Sequence, residues 1–141
     1  MRSRAPTLQE IDELIAFLPL LYAEGFSPVR RWHGGTARPD GVITMPWPEY
    51  DEVVQAFFCS AAGDCWSDYG YDPAEAYAML KDEDRVAAAS LDQIKTMLTY
   101  CLRGERFSDG HWGVMIEQGH IRRLLERLRE LRAGADGGRT G

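Results

Sequence analysis

Apolar residues recur at helical spacing along this chain in short runs, and a glycine repeatedly follows them: Gly25, Gly63, Gly104 and Gly119. A 3.6-residue apolar period gives a helix one face to bury, and glycine adopts the backbone conformations that end a helix. Such a chain has to pack short helices around a shared core. Two helix starts are written as capping boxes, Thr7-Leu-Gln-Glu10 and Ser90-Leu-Asp-Gln93. Leu8, Ile11, Leu14, Ile15, Leu18 and Leu21 follow the first; Leu91, Ile94, Leu98, Cys101 and Leu102 follow the second. Pro19 has no amide to donate to Ile15, so the first helix kinks or ends near Leu18.

Between these helices lie two β-like runs, Val29 to His33 and Gly41 to Trp47, separated by Gly34, Gly35, Pro39, Asp40 and Gly41. That is hairpin chemistry. Pro46 and Pro48 close the second run, and Pro48 suits the first turn of a helix with Tyr50, Val53, Val54, Phe57 and Phe58 inward. Asp64 to Asp72 reads as an aromatic loop, and Asp72-Pro73 as the cap of a helix from Ala74 to Leu80. Ser108 or Asp109 is placed to cap a short helix through Trp112, Met115 and Ile116. The last helix spans His120 to Arg132, with Ile121, Leu124, Leu125, Leu128 and Leu131 on one face; residues 133–141 read as a loose Gly-rich tail. The fold class expected is α+β: a mainly α-helical single domain over residues 1–132 with one small β-hairpin.

A length of 141 residues and 45% apolar content suit one domain with a real core. The net charge of −6 disfavours direct nucleic-acid binding. The longest apolar run, Leu14 to Ala23, contains Pro19 and is too short for a membrane helix. Arg2 and Arg4 resemble the start of a signal peptide, but Glu10, Asp12 and Glu13 break the apolar stretch that should follow, so a cytoplasmic location is expected. Cys59, Cys65 and Cys101 have no zinc-site spacing and read as small buried hydrophobes in a reducing compartment. No metal and no cofactor are expected, and GxGxxG, P-loop, HExxH and GxSxG motifs are absent. Charge is uneven. From Asp40 to Asp92 twelve carboxylates face only Lys81 and Arg85, whereas from Leu102 onward eight arginines face six acids.

His111 and His120 each follow a glycine. On one continuous helix they would face opposite ways, because nine residues at about 100° each leave them roughly 180° apart. A break at Gly119 places them instead at two helix N-termini on one corner. Exposed amides and the positive dipole end there suit an anion, and Arg103, Arg106, Arg122 and Arg123 flank the corner. The competing reading is structural: the glycines as caps and the imidazoles bonded to backbone. His33 is the third histidine, in Trp32-His33-Gly34-Gly35, on a different element. Trp47 and Trp66 suit either a recognition platform or packing of the hairpin onto the helices.

The stretch Arg103-Gly-Glu-Arg-Phe-Ser-Asp-Gly-His111, followed by Glu117-Gln-Gly-His-Ile121 and a Leu/Arg helix, resembles the C-terminal signature of a family of small bacterial proteins. Leu14-Ile-Ala-Phe-Leu-Pro19, Trp32-His33-Gly-Gly35 and the strand ending near Met45-Pro46 are similar to it as well, so the resemblance spans residues 8–131. The family is catalogued only as a domain of unknown function. It implies a bacterial origin and one compact domain, and it carries over no activity, cofactor or catalytic residue.

The function expected first is a binding or regulatory module without catalysis. Its partner would be another protein or a small anionic ligand. Its surface would be the corner of Arg103, Arg106, Phe107, Asp109, His111, Trp112 and His120, with Arg123, Trp32 and His33 beside it. An enzyme acting on a phosphorylated or nucleotide substrate is the alternative, with His111 or His120 as base and Arg106 as anion clamp. A third reading is an acidic inhibitor that docks on a basic nucleic-acid-binding partner.

Overall fold

The Thr7 hydroxyl accepts from the Glu10 amide at 3.2 Å while the Glu10 carboxylate accepts from the Thr7 amide at 2.9 Å, so the first capping box starts α1 (Leu8–Ile15) as expected. The computed structural model describes residues 4–139 apart from 36, 44 and 107, with side chains through 134. The break at Pro19 comes slightly early. Helix α1 stops before it, and Pro19 lies in the first turn of α2 (Leu18–Leu21), where its missing amide costs nothing.

The hairpin is present, but its second strand is not the expected one. Strand β1 (Val29–His33) pairs antiparallel with β2 (Trp47–Tyr50), with Val29 opposite Tyr50, Trp32 opposite Pro48 and His33 opposite Trp47. Gly41 to Trp47 belongs mostly to the connection, which holds one isolated bridge, Ala37 to Ile43. Pro48 is therefore inside a strand rather than opening a helix. A two-stranded sheet has a free edge on each strand, so the missing amide can face outward. Helix α3 (Glu52–Ala61) begins later, where Asp51 caps it by accepting from the Val53 amide at 2.9 Å.

The expected loop after α3 contains a short 3-10 turn, Asp64–Trp66, that buries Cys65 and Trp66. Trp66 is 3% exposed, so it is core and not a recognition platform. Asp72 and Pro73 open α4 (Pro73–Lys81) as expected, and Asp82 then caps α5 (Glu83–Ala87), which periodicity alone did not reveal because it is barely one turn. Ser90 and Gln93 close the second capping box at the head of α6 (Leu91–Arg103). A 3-10 turn over Gly104–Arg106 leads to α7 (His111–Glu117). Gly119, at φ +81°, then turns the chain into α8 (His120–Arg139). The backbone of α8 carries past the expected end at Arg132. No proline follows to stop it, and a glycine inside a helix costs only about 1 kcal/mol.

One core joins these elements. Ile121, Leu124, Leu125 and Leu128 of α8 are fully buried and pack with Ile11 and Leu14 of α1, Ile94 and Leu98 of α6 and Ile116 of α7. Phe57 and Phe58 of α3 complete it. Helix α7 lies close on the hairpin because Gly113 has no side chain; a Cβ there would sit 3.2 Å from the Val29 methyl and 3.6 Å from the Tyr50 ring. The structure is thus an α+β domain, mainly helical, with one hairpin against the α7 corner.

Candidate functional site

The N-terminus of α7 is already occupied by a carboxylate from the same chain. Glu105 accepts from the Gly110 amide at 3.0 Å and from the Trp112 amide at 2.9 Å. The Tyr50 hydroxyl donates to the same carboxylate at 2.7 Å, which ties the hairpin to the start of α7. Neither Ser108 nor Asp109 caps this helix; Gly110, at φ +91°, holds the N-cap position without a side-chain bond. An external anion would find the Gly110, His111 and Trp112 amides already taken. The Tyr50 hydroxyl is held well above its usual acidity range by burial first and by Glu105 second.

At the start of α8 the chain's own groups take the Arg122 and Arg123 amides. The Tyr22 hydroxyl donates to the Ile116 carbonyl at 2.9 Å and accepts from the Arg122 amide at 2.9 Å. One phenol thereby bridges the end of α7 and the beginning of α8, and burial pushes its pKa up to about 12.

The two histidines are internal to the corner. His120 is buried, and Arg123 donates to its Nδ1 at 3.0 Å. Guanidinium has no lone pair to offer, so His120 Nδ1 is the unprotonated nitrogen and the ring is neutral. Burial lowers its pKa first, the Arg123 charge and His111 add to that, and the Leu80 carbonyl opposes them. His111 meets the Tyr100 ring edge-on at 5.4 Å. Its Nε2 is buried without a hydrogen-bond partner, and a Cβ at Gly104 would fall onto the imidazole. Burial also lowers the His111 pKa, with Glu105 and the Tyr100 carbonyl acting the other way.

The other wall of the corner is open. A cleft of about 460 Å³ is lined by Ser67, Tyr69, Thr99, Arg103, Arg106 and Trp112. Neither Arg103 nor Arg106 makes an ion pair with a described carboxylate, whereas Arg4, Arg30, Arg31, Arg85, Arg127 and Arg132 each stand beside one. Arg103 lies over the Tyr71 ring at 5.4 Å. Through Ala62, Leu102 and Trp112 the cleft adjoins a groove of about 520 Å³ between β2 and α3, walled by Trp47, Tyr50, Phe58 and Cys59. Trp112 stacks on Phe58 at 4.4 Å, and its indole N–H donates to the Leu102 carbonyl at 2.9 Å, so this dividing wall is fixed.

A family model matches residues 6–134, that of a family of unknown function, DUF6508. The chain belongs to this family. No curated protein matches it, and no solved structure does.

In this DUF6508 chain the expected site residues therefore divide. Arg103, Arg106 and Trp112 come together on the cleft, whereas His111, His120 and Arg123 are engaged inside the corner, Arg123 with Glu83 at 3.8 Å as well. Neither imidazole lines the cleft that holds Arg106. Asp109 is exposed. Phe107 lies outside the described residues. Trp32 packs over Gly110, where a Cβ would come within 2.8 Å of its ring. His33 stacks on Trp47 at 4.2 Å and bonds Glu49 at 3.0 Å, on the hairpin. Among the described residues no cluster of His, Cys, Asp or Glu could hold a metal ion.

Many carboxylates of the acidic middle are engaged within the chain. Asp51, Asp72 and Asp82 are helix caps, Asp68 is buried against Thr96, Asp64 accepts from Tyr69, and Glu75 and Glu83 reach arginines. Sequence reasoning missed Glu105, Tyr22 and Tyr69. Glu105 caps from five and seven residues away across a 3-10 turn, a spacing that no local capping pattern describes.

Proposed function

We propose that this DUF6508 protein is a non-catalytic binding module of the bacterial cytoplasm. It holds an anionic group, a carboxylate or phosphate, between Arg103 and Arg106. The observation that carries the reading is a pair of guanidiniums on the wall of one cleft without carboxylate partners among the described residues, in a chain with six more acids than bases. Arginine presents a planar fork of donors suited to such groups. Glu105 shares that wall, but its carboxylate is spent on two amides and a phenol, which weakens its claim on the arginines. Three free cysteines, one of them exposed, suit a reducing compartment. No described helix is long and apolar enough to cross a membrane.

Isothermal titration with benzoate and with inorganic phosphate at low salt tests this. The expected result is binding to the wild type that weakens at least about tenfold, or about 1.4 kcal/mol, in the Arg103→Ala, Arg106→Ala double variant. An Arg129→Ala variant, altered on the far helix, should match the wild type. No heat with either anion, or equal affinity in the double variant, overturns the reading.

A further inference from the structure

We infer that the ligand is a free small-molecule monocarboxylate with an apolar tail, its head between Arg103 and Arg106 and its tail in the groove between β2 and α3. This rests on the anion site proposed above and adds the occupant. The two cavities border on Ala62, Leu102 and Trp112 from either side, so a molecule passing over that rim would reach both. Their walls differ in chemistry. The first holds two arginines with Ser67 and Thr99, whereas the second is Trp47, Pro48, Tyr50, Phe58 and Cys59. Trp47 is 51% exposed, so an apolar tail laid along the groove would cover part of its ring.

The polar groups at the groove rim narrow the choice. Among the described residues that line the groove Glu49 alone is charged, and it would repel a second anion, so the head is single and sits at the arginine end. A peptide suits the groove poorly. Pro48 has no amide to offer, and the Tyr50 carbonyl already accepts from Gln55 at 3.1 Å. A hydrocarbon tail needs neither.

Cys59 supplies the readout. It lines the groove and is exposed, while Cys65 and Cys101 are buried. Its reaction with an aromatic disulfide reagent is to be followed alone and with decanoate, acetate or decanol, all below micellar concentration. Decanoate is expected to slow labelling at least about fivefold at concentrations where acetate and decanol leave the rate unchanged. In the Arg103→Gln, Arg106→Gln variant the same protection should need at least about ten times more decanoate. Cys59 staying fully reactive while benzoate still binds the arginines overturns the tail and leaves the anion site standing. Decanol protecting as well as decanoate overturns the joined head and tail. No protection together with no anion heat removes both proposals.

Discussion

Glu105 holds three donors from two elements, and its loss is the most informative single change at the residue scale. A charged hydrogen bond or a helix cap contributes about 1–3 kcal/mol each, without simple additivity. Glu105→Ala is expected to lower unfolding free energy by about 2–4 kcal/mol, measured by urea denaturation. Tyr50→Phe, which removes one of the three, should cost about 1 kcal/mol. The histidines give a pH dependence with a defined sign. Both are held below the ordinary 6.5 by burial, so the unfolded chain binds more protons than the folded one in slightly acid solution. Stability is then fully present above about pH 6.5 and falls as pH drops below it. Urea midpoints between pH 7.5 and 5.5 should fall for the wild type, and the slope should flatten in His120→Gln. A midpoint that rises on acidification contradicts the neutral, internal imidazoles.

Among the elements, the corner depends on two glycines for different reasons. At Gly119 the backbone is left-handed, and a Cβ is disfavoured there by about 1–2 kcal/mol. At Gly104 the backbone is ordinary right-handed helix, but a Cβ would collide with His111. Gly104→Ala is expected to cost more than Gly119→Ala, roughly 2–4 kcal/mol, in thermal or urea unfolding followed by circular dichroism. The helices with capping boxes, α1 and α6, were legible because their start signals are local: side chain and amide lie three residues apart. The second strand was not. Its β-like residues, Val42 and Ile43, lie in the connection, while the paired stretch contains a proline that only an edge position allows. The break at Gly119 was legible from its glycine, but what faces it was not, since Tyr22 comes from a distant helix end.

Across the whole molecule, periodicity and closing glycines were enough for the fold class, because the longer helices announce their own buried faces. The site was less legible. Arg103, Arg106 and Trp112 are near in sequence and were expected together, but the cleft also needs Ser67 and Tyr69, and its groove needs Trp47 and Phe58. Only the packing of β2, α3 and α6 brings those together. Much of the uneven charge is likewise spent on caps and pairs, so binding at the arginine cleft should weaken with salt as a local contact between few charges does. The central claim is that the chain's own groups already take amides at both helix starts and that an anion goes to the arginine cleft. Amide and indole chemical shifts under titration with benzoate test it most directly. The account predicts shifts at Arg103, Arg106 and the Trp112 indole N–H, with the amides of Ile121, Arg122 and Arg123 unmoved. Shifts confined to those α8 amides and to His111 and His120, with the cleft silent, would contradict it.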